Sequence, residues 1–377
     1  MRYFVSAGEA SGDLHGGALL RALRDADPEA RFEFLGGDEM ACAAGRDPLI
    51  HYRKMAYMGF AEVLRHLPDV ARNLSTARKA LEQGGFDALV LIDYPSFNLK
   101  LARHAEKLGI PVYYYIAPKV WAWKEWRVKS IRRLCRKVLS ILPFEVDYFR
   151  GKGVEVEYVG NPSAEEIRER QRALQPARDF LRANNLSGKK PLLAIVPGSR
   201  VGELRNNLPV MLEAAKSAPD YQPVVAMAPG LDAEVYDRYA PGVPRVEGQT
   251  FQLMACSAAA LVTSGTATLE CALLGTPQVV CYRGSGSRLF YNIMKRVLKC
   301  PFVSLPNLIA GRKVVAELLM HHCDAAGISA ELKKILPGAE GRGEMLEGYA
   351  AIQAALGDSH AARVAAEAIV GDLRSRR

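Results

Sequence analysis

Short apolar runs alternate with longer helical patterns along this chain, and this alternation limits the folds it can adopt. The runs predict strands at 3–7, 32–35, 88–92, 112–116, 138–142 and 154–159, and then at 192–196, 223–227, 259–263 and 278–281. Strands separated by helices form parallel sheets. Because the rhythm occurs in both halves, we predict an α/β protein with two doubly wound domains that face each other across a cleft.

The predicted boundaries follow from composition. A first domain covers residues 1–160, a polar and charged linker covers 161–176, and a second domain covers 177–340. The last segment, 341–377, is alanine-rich and helical in pattern. It could pack back across the domains.

Composition excludes several classes of protein. The 7 cysteines are scattered singly without zinc-binding spacing, which favours a reduced, cytoplasmic protein. No apolar run approaches the roughly 18 residues of a membrane span, and the N-terminus reads as a first strand and not as a signal peptide. The formal net charge of +9 favours acidic partners, which could be nucleic acid, anionic lipid or a phosphorylated substrate.

The segment VTSGTATLECALLGTPQVVCYR, 262–283, predicts a buried strand, a tight turn and a helix. Backbone N–H groups at Ser264, Gly265 and Thr266 suit a diphosphate, because a helix N-terminus carries partial positive charge. Glu270 lies on the same helix face as Thr266 and could accept hydrogen bonds from ribose hydroxyls. The alternative is an ordinary crossover in which Ser264 or Thr266 caps the helix.

Two loops of the first half carry unusual polar residues. SAGEASGD, 6–13, is glycine-rich and offers Glu9, Ser11 and Asp13, but its spacing is not GxGxxG, so a nicotinamide cofactor is not expected. Asp93 emerges from an apolar run at the carboxyl edge of the predicted sheet. Partial burial there would raise its pKa and suit it to general-base work. The alternative is that Asp93 or Ser96 caps the following helix.

Two further polar groups stand in the second half. Arg200, in VPGSRVGELRNNLP, offers a charged donor for a diphosphate, and Arg205 offers a second, although the loop is not a P-loop. Otherwise Arg200 is a solvated charge paired with Glu203. Asn307 lies in an otherwise apolar run that also contains two prolines, which fits an active-site wall as well as a simple turn.

Eight motifs in this order resemble the lipid-A-disaccharide synthase family of inverting GT-B glycosyltransferases: SAGEASGD, PSFNLKLA, YYIAPKVWAWKEWRVKSI, ILPFE, VGNP, VPGSR, SGTATLE and FVSLPNLIAG. The resemblance runs from Tyr3 to about Leu319. It implies a GT-B fold and transfer of 2,3-diacylglucosamine from UDP to the 6-hydroxyl of 2,3-diacylglucosamine 1-phosphate (lipid X). The products would be a β-1,6-linked disaccharide 1-phosphate and UDP, with no metal and no cofactor.

The same resemblance implies roles for individual residues. Asp93 matches the candidate general base, Arg200 the arginine beside the diphosphate, Glu270 the nucleotide-binding glutamate and Asn307 an essential asparagine. VGNP differs from the VGH of many relatives and leaves the role of Asn161 open.

Lipid substrates suggest a membrane-facing surface. The apolar stripe Phe60, Val63, Leu64 and Leu67 is either core or a docking face, and a second helix starting at Pro68 repeats the pattern at Val70, Leu74, Ala77 and Leu81. Trp121, Trp123 and Trp126 are interleaved with basic residues, which suits a membrane interface or an anionic acceptor phosphate. The alternative is a solvated basic helix with tryptophans in the core.

The expected partners are therefore UDP-diacylglucosamine, lipid X and an anionic membrane surface. The expected location is the cytoplasm, peripherally on the inner face of the cytoplasmic membrane, and a homodimer is left open. A UDP-sugar 2-epimerase or another UDP-sugar-dependent GT-B enzyme is the alternative. A nucleic-acid-binding protein is disfavoured, because the richest basic cluster is interleaved with tryptophans.

Overall fold

The chain forms two compact units in the computed structural model, which describes residues 1–55, 66–122, 124–284 and 302–376. Unit 1 comprises Met1–Glu165 and Asp358–Arg377, and unit 2 comprises Glu166–Gly357. The chain therefore leaves unit 1 once and returns to it at its C-terminal end.

Each unit contains a parallel sheet. In unit 1 the described strands are β1 (Arg2–Ala7), β2 (Arg31–Gly36), β3 (Ile50–His51), β4 (Ala88–Ile92), β5 (Val112–Tyr115), β6 (Lys137–Ser140) and β7 (Val156–Tyr158). Unit 2 has β8 (Leu192–Val196), β9 (Gln222–Met227), β10 (Arg245–Glu247), β11 (Ser257–Thr263), β12 (Gln278–Tyr282) and β13 (Ala316–Leu319). The strand orders are 3-2-1-4-5-6-7 and 10-9-8-11-12-13.

Helices connect the strands and cover the sheets. In chain order they are α1 (Ala10–Ala26), α2 (Asp38–Ala44), α3 (Leu67–Gly84), α4 (Pro95–Lys107), α5 (Arg127–Leu134), α6 (Pro143–Arg150), α7 (Pro162–Arg172), α8 (Ala177–Ala183), α9 (Val201–Ala215), α10 (Ala233–Tyr239), α11 (Thr250–Ala255), α12 (Thr266–Leu274), α13 (Leu305–Ala310), α14 (Ala325–Lys333), α15 (Glu340–Leu356) and α16 (Ala361–Arg374). Short 3₁₀ turns lie at Tyr52–Lys54 and Met320–His322. Within the described residues, no helix is both long and apolar enough to cross a bilayer.

The sheet of unit 1 is buried on both faces. Side chains of β1 alternate between two cores, so that Phe4 packs with the α3 residues and Tyr3 packs with residues of α1 and α16. A strand covered on both sides must be apolar throughout. This explains why β1, β4 and β8 appear in the sequence as continuous apolar runs.

Helix α3 contributes its apolar stripe to the core. Leu74, Ala77 and Leu81 are buried, and Val70 packs partly buried against them. The second predicted stripe is therefore core. Of the first stripe, Phe60, Val63 and Leu64 lie outside the described residues, as does Trp123, and only the backbone of Leu67, the first residue of α3, is described.

The C-terminal segment is divided between the units. Gly357, with φ 64°, follows α15 and separates it from α16. Helix α16 buries Ile369 and Leu373 in the core of unit 1, and Asp372 accepts a hydrogen bond of 2.7 Å from the Tyr113 hydroxyl. The last helix is therefore part of unit 1. The sequence analysis treated 341–377 as one helical segment that could pack back across the domains.

Three strands were not predicted from the sequence. They are β3, β10 and β13, and all lie at a sheet edge. An edge strand has one backbone neighbour and needs less apolar surface, so its sequence carries a weaker signal. The ten predicted strands are present, and their bounds differ from the prediction by at most two residues.

Candidate functional site

The strand order reverses once in each sheet. In unit 1 the reversal lies between β1 and β4, and in unit 2 it lies between β8 and β11. Open α/β sheets bind ligands beyond the carboxyl ends of strands at such switch points. The loops that follow these four strands carry Glu9, Asp93, Arg200 and Ser264. These four sequence-derived candidates therefore lie at the two switch points.

The backbone at Asp93 is held in an unusual conformation. Asp93 and Tyr94 have φ of 44° and 46°, values that non-glycine residues rarely adopt. The Asp93 N–H donates to the Ile116 carbonyl at 3.2 Å. Its carbonyl accepts from Asn98 Nδ2 and from the Tyr114 hydroxyl, each at 2.8 Å. Strain persists only where the surroundings enforce it, and it clusters at functional sites.

The carboxyl group of Asp93 is half-buried, and its pKa is raised. Burial is the main cause and the Glu9 carboxylate adds to it, while Lys119 and a hydrogen bond from the Tyr94 N–H oppose the rise. Tyr94 occupies the N-cap position of α4 without a side-chain cap. The capping alternative is therefore not realised, and the Asp93 carboxyl has the environment expected of a general base.

Gly8 allows the loops after β1 and β4 to approach each other. A Cβ atom there would lie 2.3 Å from Cγ of Tyr94, so only glycine fits. The Tyr94 hydroxyl in turn donates to the Met55 carbonyl at 2.8 Å. Glu9 precedes α1 in the N-cap position, and the Ser11 hydroxyl donates to Oε1 of Glu9 at 2.7 Å. Glu9 and Ser11 are exposed beside Asp93.

Asp13 has a different environment. It is buried, and its carboxylate accepts hydrogen bonds from the N–H groups of Gly37 at 2.6 Å, Glu39 at 3.0 Å and Met40 at 3.1 Å. These groups lie at the start of α2, where a carboxylate offsets the helix dipole. Asp13 therefore holds the start of α2 in place and is not a free polar group of the loop.

Glu145 is a buried acid at the same sheet edge that sequence reasoning did not single out. It is 1% exposed and accepts from Trp121 Nε1 at 2.9 Å and from the Ser140 hydroxyl at 2.5 Å. Burial raises the pKa of Glu145 to about 7, although these two hydrogen bonds lower it. Trp121 also packs edge-on against Phe144, with ring centroids 5.0 Å apart. The ILPFE motif contained Glu145 but gave no reason to choose it.

The tryptophan segment is thus only partly exposed. Trp121 is half-buried and fixed by Glu145, whereas Trp126 is 65% exposed. Of the two tryptophans that the structure describes, Trp126 is the more exposed to solvent.

Unit 2 contains a cavity of about 510 Å³ at its switch point. The predicted donor-site residues line it together: Arg200, Ser264, Gly265, Thr266 and Glu270. Arg170 lines it as well, although this residue lies in the segment predicted as a linker. The structure therefore brings all five candidates into one pocket and adds a second arginine.

The start of α12 is open to an anion. Gly265 occupies the N-cap position and no side chain caps the helix, so the N–H groups of Thr266 and Ala267 keep their donor capacity. The Thr268 N–H donates to the Gly265 carbonyl at 3.2 Å. The Thr268 hydroxyl also donates to the Gly265 carbonyl at 2.7 Å. The alternative in which Ser264 or Thr266 caps this helix is not found.

Glu270 lies in the cavity beside a stacked arginine. Its side chain is 22% exposed, and Oε1 lies 3.9 Å from Nη1 of Arg170. The Arg170 guanidinium lies over the Phe251 ring, 4.3 Å from its centroid. Burial raises the pKa of Glu270, and Arg170 opposes the rise. A carboxylate can accept hydrogen bonds from ribose hydroxyls, and a guanidinium offers N–H donors.

Arg200 is exposed and pairs with Glu203. Its side chain is 73% exposed, and Nη1 lies 3.0 Å from Oε1 of Glu203. Glu203 also accepts from the Ser199 N–H at 2.9 Å. The surface pairing weighed from the sequence is therefore present, while Arg200 still lines the cavity. Arg205 is exposed on α9 and does not line it.

Two buried asparagines hold turns. Asn307 donates to the carbonyl of Val315 and to Glu317 Oε1, and it accepts from two backbone N–H groups, at distances of 2.7–3.0 Å. These four bonds use its whole amide capacity. Asn161 accepts from the Ala164 N–H at 3.0 Å and donates to the Ile141 carbonyl at 2.8 Å, which caps α7. A direct catalytic role for Asn307 stays a prediction.

A metal site is not evident in the part of the chain that the structure describes, where no group of three His, Cys, Asp or Glu side chains could hold an ion.

Comparison with solved structures shows the fold. The chain is similar to a UDP-GlcNAc 2-epimerase from Neisseria meningitidis bound to UDP-GlcNAc, with a TM-score of 0.66 at 15% identity and full coverage of both chains. It is also similar to the glycotransferase of kitacinnamycin, with a TM-score of 0.61 at 14% identity over 99% of this chain and 98% of that one. The two parallel-sheet units are therefore of GT-B type.

Comparison with known sequences shows the family. The lipid-A-disaccharide synthase of Myxococcus xanthus is 42% identical over 98% of this chain and 97% of its own length. That of Acidobacterium capsulatum is 36% identical, over 96% and 94%. The family model described as lipid-A-disaccharide synthetase matches residues 3–361. The chain therefore belongs to the lipid-A-disaccharide synthetase family of glycosyltransferases.

Proposed function

We propose that this enzyme joins UDP-2,3-diacylglucosamine to 2,3-diacylglucosamine 1-phosphate, releasing UDP and the β-1,6-linked disaccharide 1-phosphate. One observation carries the proposal: in a chain of this family, the switch point of unit 1 holds a half-buried carboxyl with a raised pKa, and that of unit 2 holds an anion-suited cavity.

Asp93 is the proposed base. It takes the proton of the acceptor 6-hydroxyl, whose oxygen then forms a bond to C1 of the donor sugar while the bond from C1 to the UDP oxygen breaks on the opposite face. This displacement inverts the anomeric centre. A base whose pKa lies closer to the working pH is a better proton acceptor, which fits the raised pKa of Asp93.

Unit 2 is the proposed donor site. The uncapped N-terminus of α12 and Arg200 are suited to stabilise the charge that leaves with UDP. Glu270 is suited to accept hydrogen bonds from ribose hydroxyls. No metal is assigned a role, because backbone N–H groups and arginine supply the positive partners.

Acylated substrates require access to a bilayer, and we propose peripheral association with an anionic membrane. The apolar stripe Phe60, Val63, Leu64 and Leu67 is the proposed docking face on the strength of its sequence pattern. The exposed Trp126 and the basic residues of α5 are a second, electrostatic contribution.

The test is an assay of both products with UDP-2,3-diacylglucosamine in detergent, with and without the monosaccharide 1-phosphate. We expect UDP release only when the acceptor is present, in a 1:1 ratio with disaccharide and unchanged by EDTA. The epimerase alternative predicts turnover of a UDP-sugar without acceptor. Such turnover, with no disaccharide, would contradict the proposal.

A further inference from the structure

Arg127, the first residue of α5, is a buried cation for which the described residues supply no counter-ion. The residue is 8% exposed, and burial lowers the pKa of its guanidinium. In the described part of the chain no carboxylate lies within 4.0 Å of it, whereas its helix neighbour Arg133 pairs with Glu106. Its one side-chain hydrogen bond there runs from Nη2 to the Ser96 hydroxyl at 2.9 Å.

This arrangement is costly as it stands. A guanidinium has five N–H donors and stays protonated in proteins, and a buried charge is stable when it is paired. A single neutral hydroxyl does not neutralise it. The exposed Trp126 ring, 5.6 Å from the Arg127 guanidinium carbon, supplies an electron-rich face but no negative charge. Among the described residues, the partner that this cation lacks is an anion.

The guanidinium lies at the same sheet edge as the proposed base. Ser96 is in the first turn of α4, three residues after Asp93. Tyr114, which donates to the Asp93 carbonyl, also interacts electrostatically with Arg127. Ser96 is exposed, so a ligand that contacts its hydroxyl can reach Nη2 of Arg127 without opening the core.

We propose that Arg127 and the Ser96 hydroxyl bind the phosphate monoester of the acceptor sugar while Asp93 faces its hydroxyl group. This inference rests on the proposed function. Arginine binds phosphate through paired, charge-assisted hydrogen bonds, so the contact would select phosphorylated acceptors and fix the sugar for attack. Burial of the guanidinium strengthens the interaction, because the effective dielectric is lower than in water.

The experiment compares two acceptors, 2,3-diacylglucosamine 1-phosphate and the same sugar without phosphate. Turnover or competition is measured for the wild type, Arg127→Gln, Arg127→Lys and the control Arg132→Gln. Arg132 lies on the same helix, and its substitution by Gln removes the same charge. Because Arg132 is exposed, this control removes no buried cation. Thermal melting and UDP affinity are measured for each protein.

We expect Arg127→Gln to raise KM for the phosphorylated acceptor by about 10- to 100-fold, because losing one charge-assisted hydrogen bond weakens binding by about this factor. Its UDP affinity and its KM for the dephosphorylated acceptor should match the wild type. Arg127→Lys should recover part of the selectivity, since the charge remains without the planar fork. Arg132→Gln should leave the selectivity intact.

Three outcomes overturn the inference. Equal losses with both acceptors in Arg127→Gln and Arg127→Lys would make Arg127 a structural residue. Unchanged selectivity between the phosphorylated and dephosphorylated acceptors would remove Arg127 from the acceptor site. If the variants also sediment less with phosphatidylglycerol vesicles while this selectivity is unchanged, the anion that Arg127 binds is a membrane headgroup. A wild-type protein that forms no disaccharide would instead overturn the proposed function, which separates the two failures.

Discussion

Asp93 illustrates how a single residue combines backbone strain with an unusual carboxyl environment. The sequence placed it after an apolar run, and that was enough to expect partial burial. The left-handed backbone at Asp93 and Tyr94 could not be foreseen, because it depends on hydrogen bonds from Asn98 and Tyr114, which come from α4 and β5.

Replacing Asp93 by Asn removes the proposed base at nearly constant shape. We expect kcat to fall by about 10² to 10⁴, the usual contribution of general-base catalysis. UDP affinity and the melting temperature should stay close to wild type. Steady-state kinetics, calorimetry and thermal melting measure the three quantities. A variant that keeps more than half of the wild-type kcat would exclude Asp93 as the base.

The acidic limb of the pH–rate profile should respond to the neighbours of Asp93. A base works only when ionised, so its raised pKa makes activity fall at a higher pH than an exposed aspartate would. Glu9→Gln removes a charge that raises this pKa and should move the limb to lower pH. Lys119→Gln removes a charge that lowers it and should move the limb to higher pH.

The profile of kcat/KM against pH measures these shifts, and Ser11→Ala, which changes no charge, is the control. Shifts in the same direction for Glu9→Gln and Lys119→Gln would show that another group sets the limb.

The donor site can be tested with two arginines of one helix region. Arg200 lines the cavity of unit 2, and Arg205 is exposed outside it. Arg200→Ala and Glu270→Ala should each weaken UDP binding by about 1.5 to 3 kcal/mol, the contribution of a charge-assisted hydrogen bond. Arg205→Ala should bind UDP like the wild type. Calorimetry that finds all three variants equal to the wild type would remove this cavity from the donor site.

Other site residues escaped sequence reasoning for a common reason. Arg170 lies within a helix and Glu145 in the first turn of one, where charged residues are usually solvated. Their importance comes from what the fold packs over them: Phe251 for Arg170, and Trp121 with Ser140 for Glu145. Such contacts join residues distant in sequence, so local pattern does not contain them.

At the scale of the element, periodicity predicted α3 well but did not decide which apolar stripe was core. The stripe on α3 is buried in unit 1. The preceding stripe at Phe60, Val63, Leu64 and Leu67 stays a prediction for membrane docking. The two stripes have the same spacing, because packing on protein and packing on lipid demand the same amphipathic pattern.

A pair of matched variants separates these roles. Changing Val63, Leu64 and Leu67 together to Ser should leave the protein folded, reduce its sedimentation with anionic vesicles and preserve turnover in detergent. Leu74→Ala, in the buried stripe, should instead cost about 2 to 5 kcal/mol of unfolding free energy. Chemical denaturation and vesicle sedimentation measure both. Loss of the cooperative transition in the triple variant would show that its stripe is core as well.

At the scale of the whole molecule, the two sheets and their order of connection were predictable, and the path of the C-terminal chain was not. Alternation of strands and helices restricts a chain to parallel α/β sheets. Membership of α16 in unit 1 depends instead on long-range packing of Ile369 and on the hydrogen bond between Tyr113 and Asp372. A helical pattern specifies a buried face but not its partner.

Because the chain returns to unit 1 at its C-terminal end, we expect the two units to differ in whether they fold as separate fragments. Residues 161–357 include Asn161, which caps α7, and all of unit 2, with the cavity lined by Glu270. This fragment should fold alone and bind UDP with the affinity of the whole chain. UDP at 100 times its Kd should then raise the unfolding free energy by about 2.7 kcal/mol.

Residues 1–165 alone should lack a cooperative transition, because the absence of α16 exposes the core that it covers. Adding a peptide of residues 358–377 should restore part of the transition by supplying Ile369 and Leu373. Calorimetry and thermal melting of the two fragments measure these differences. If 1–165 melts as cooperatively as 161–357, unit 1 does not depend on its last helix. If 161–357 fails to bind UDP, the donor site is not confined to unit 2.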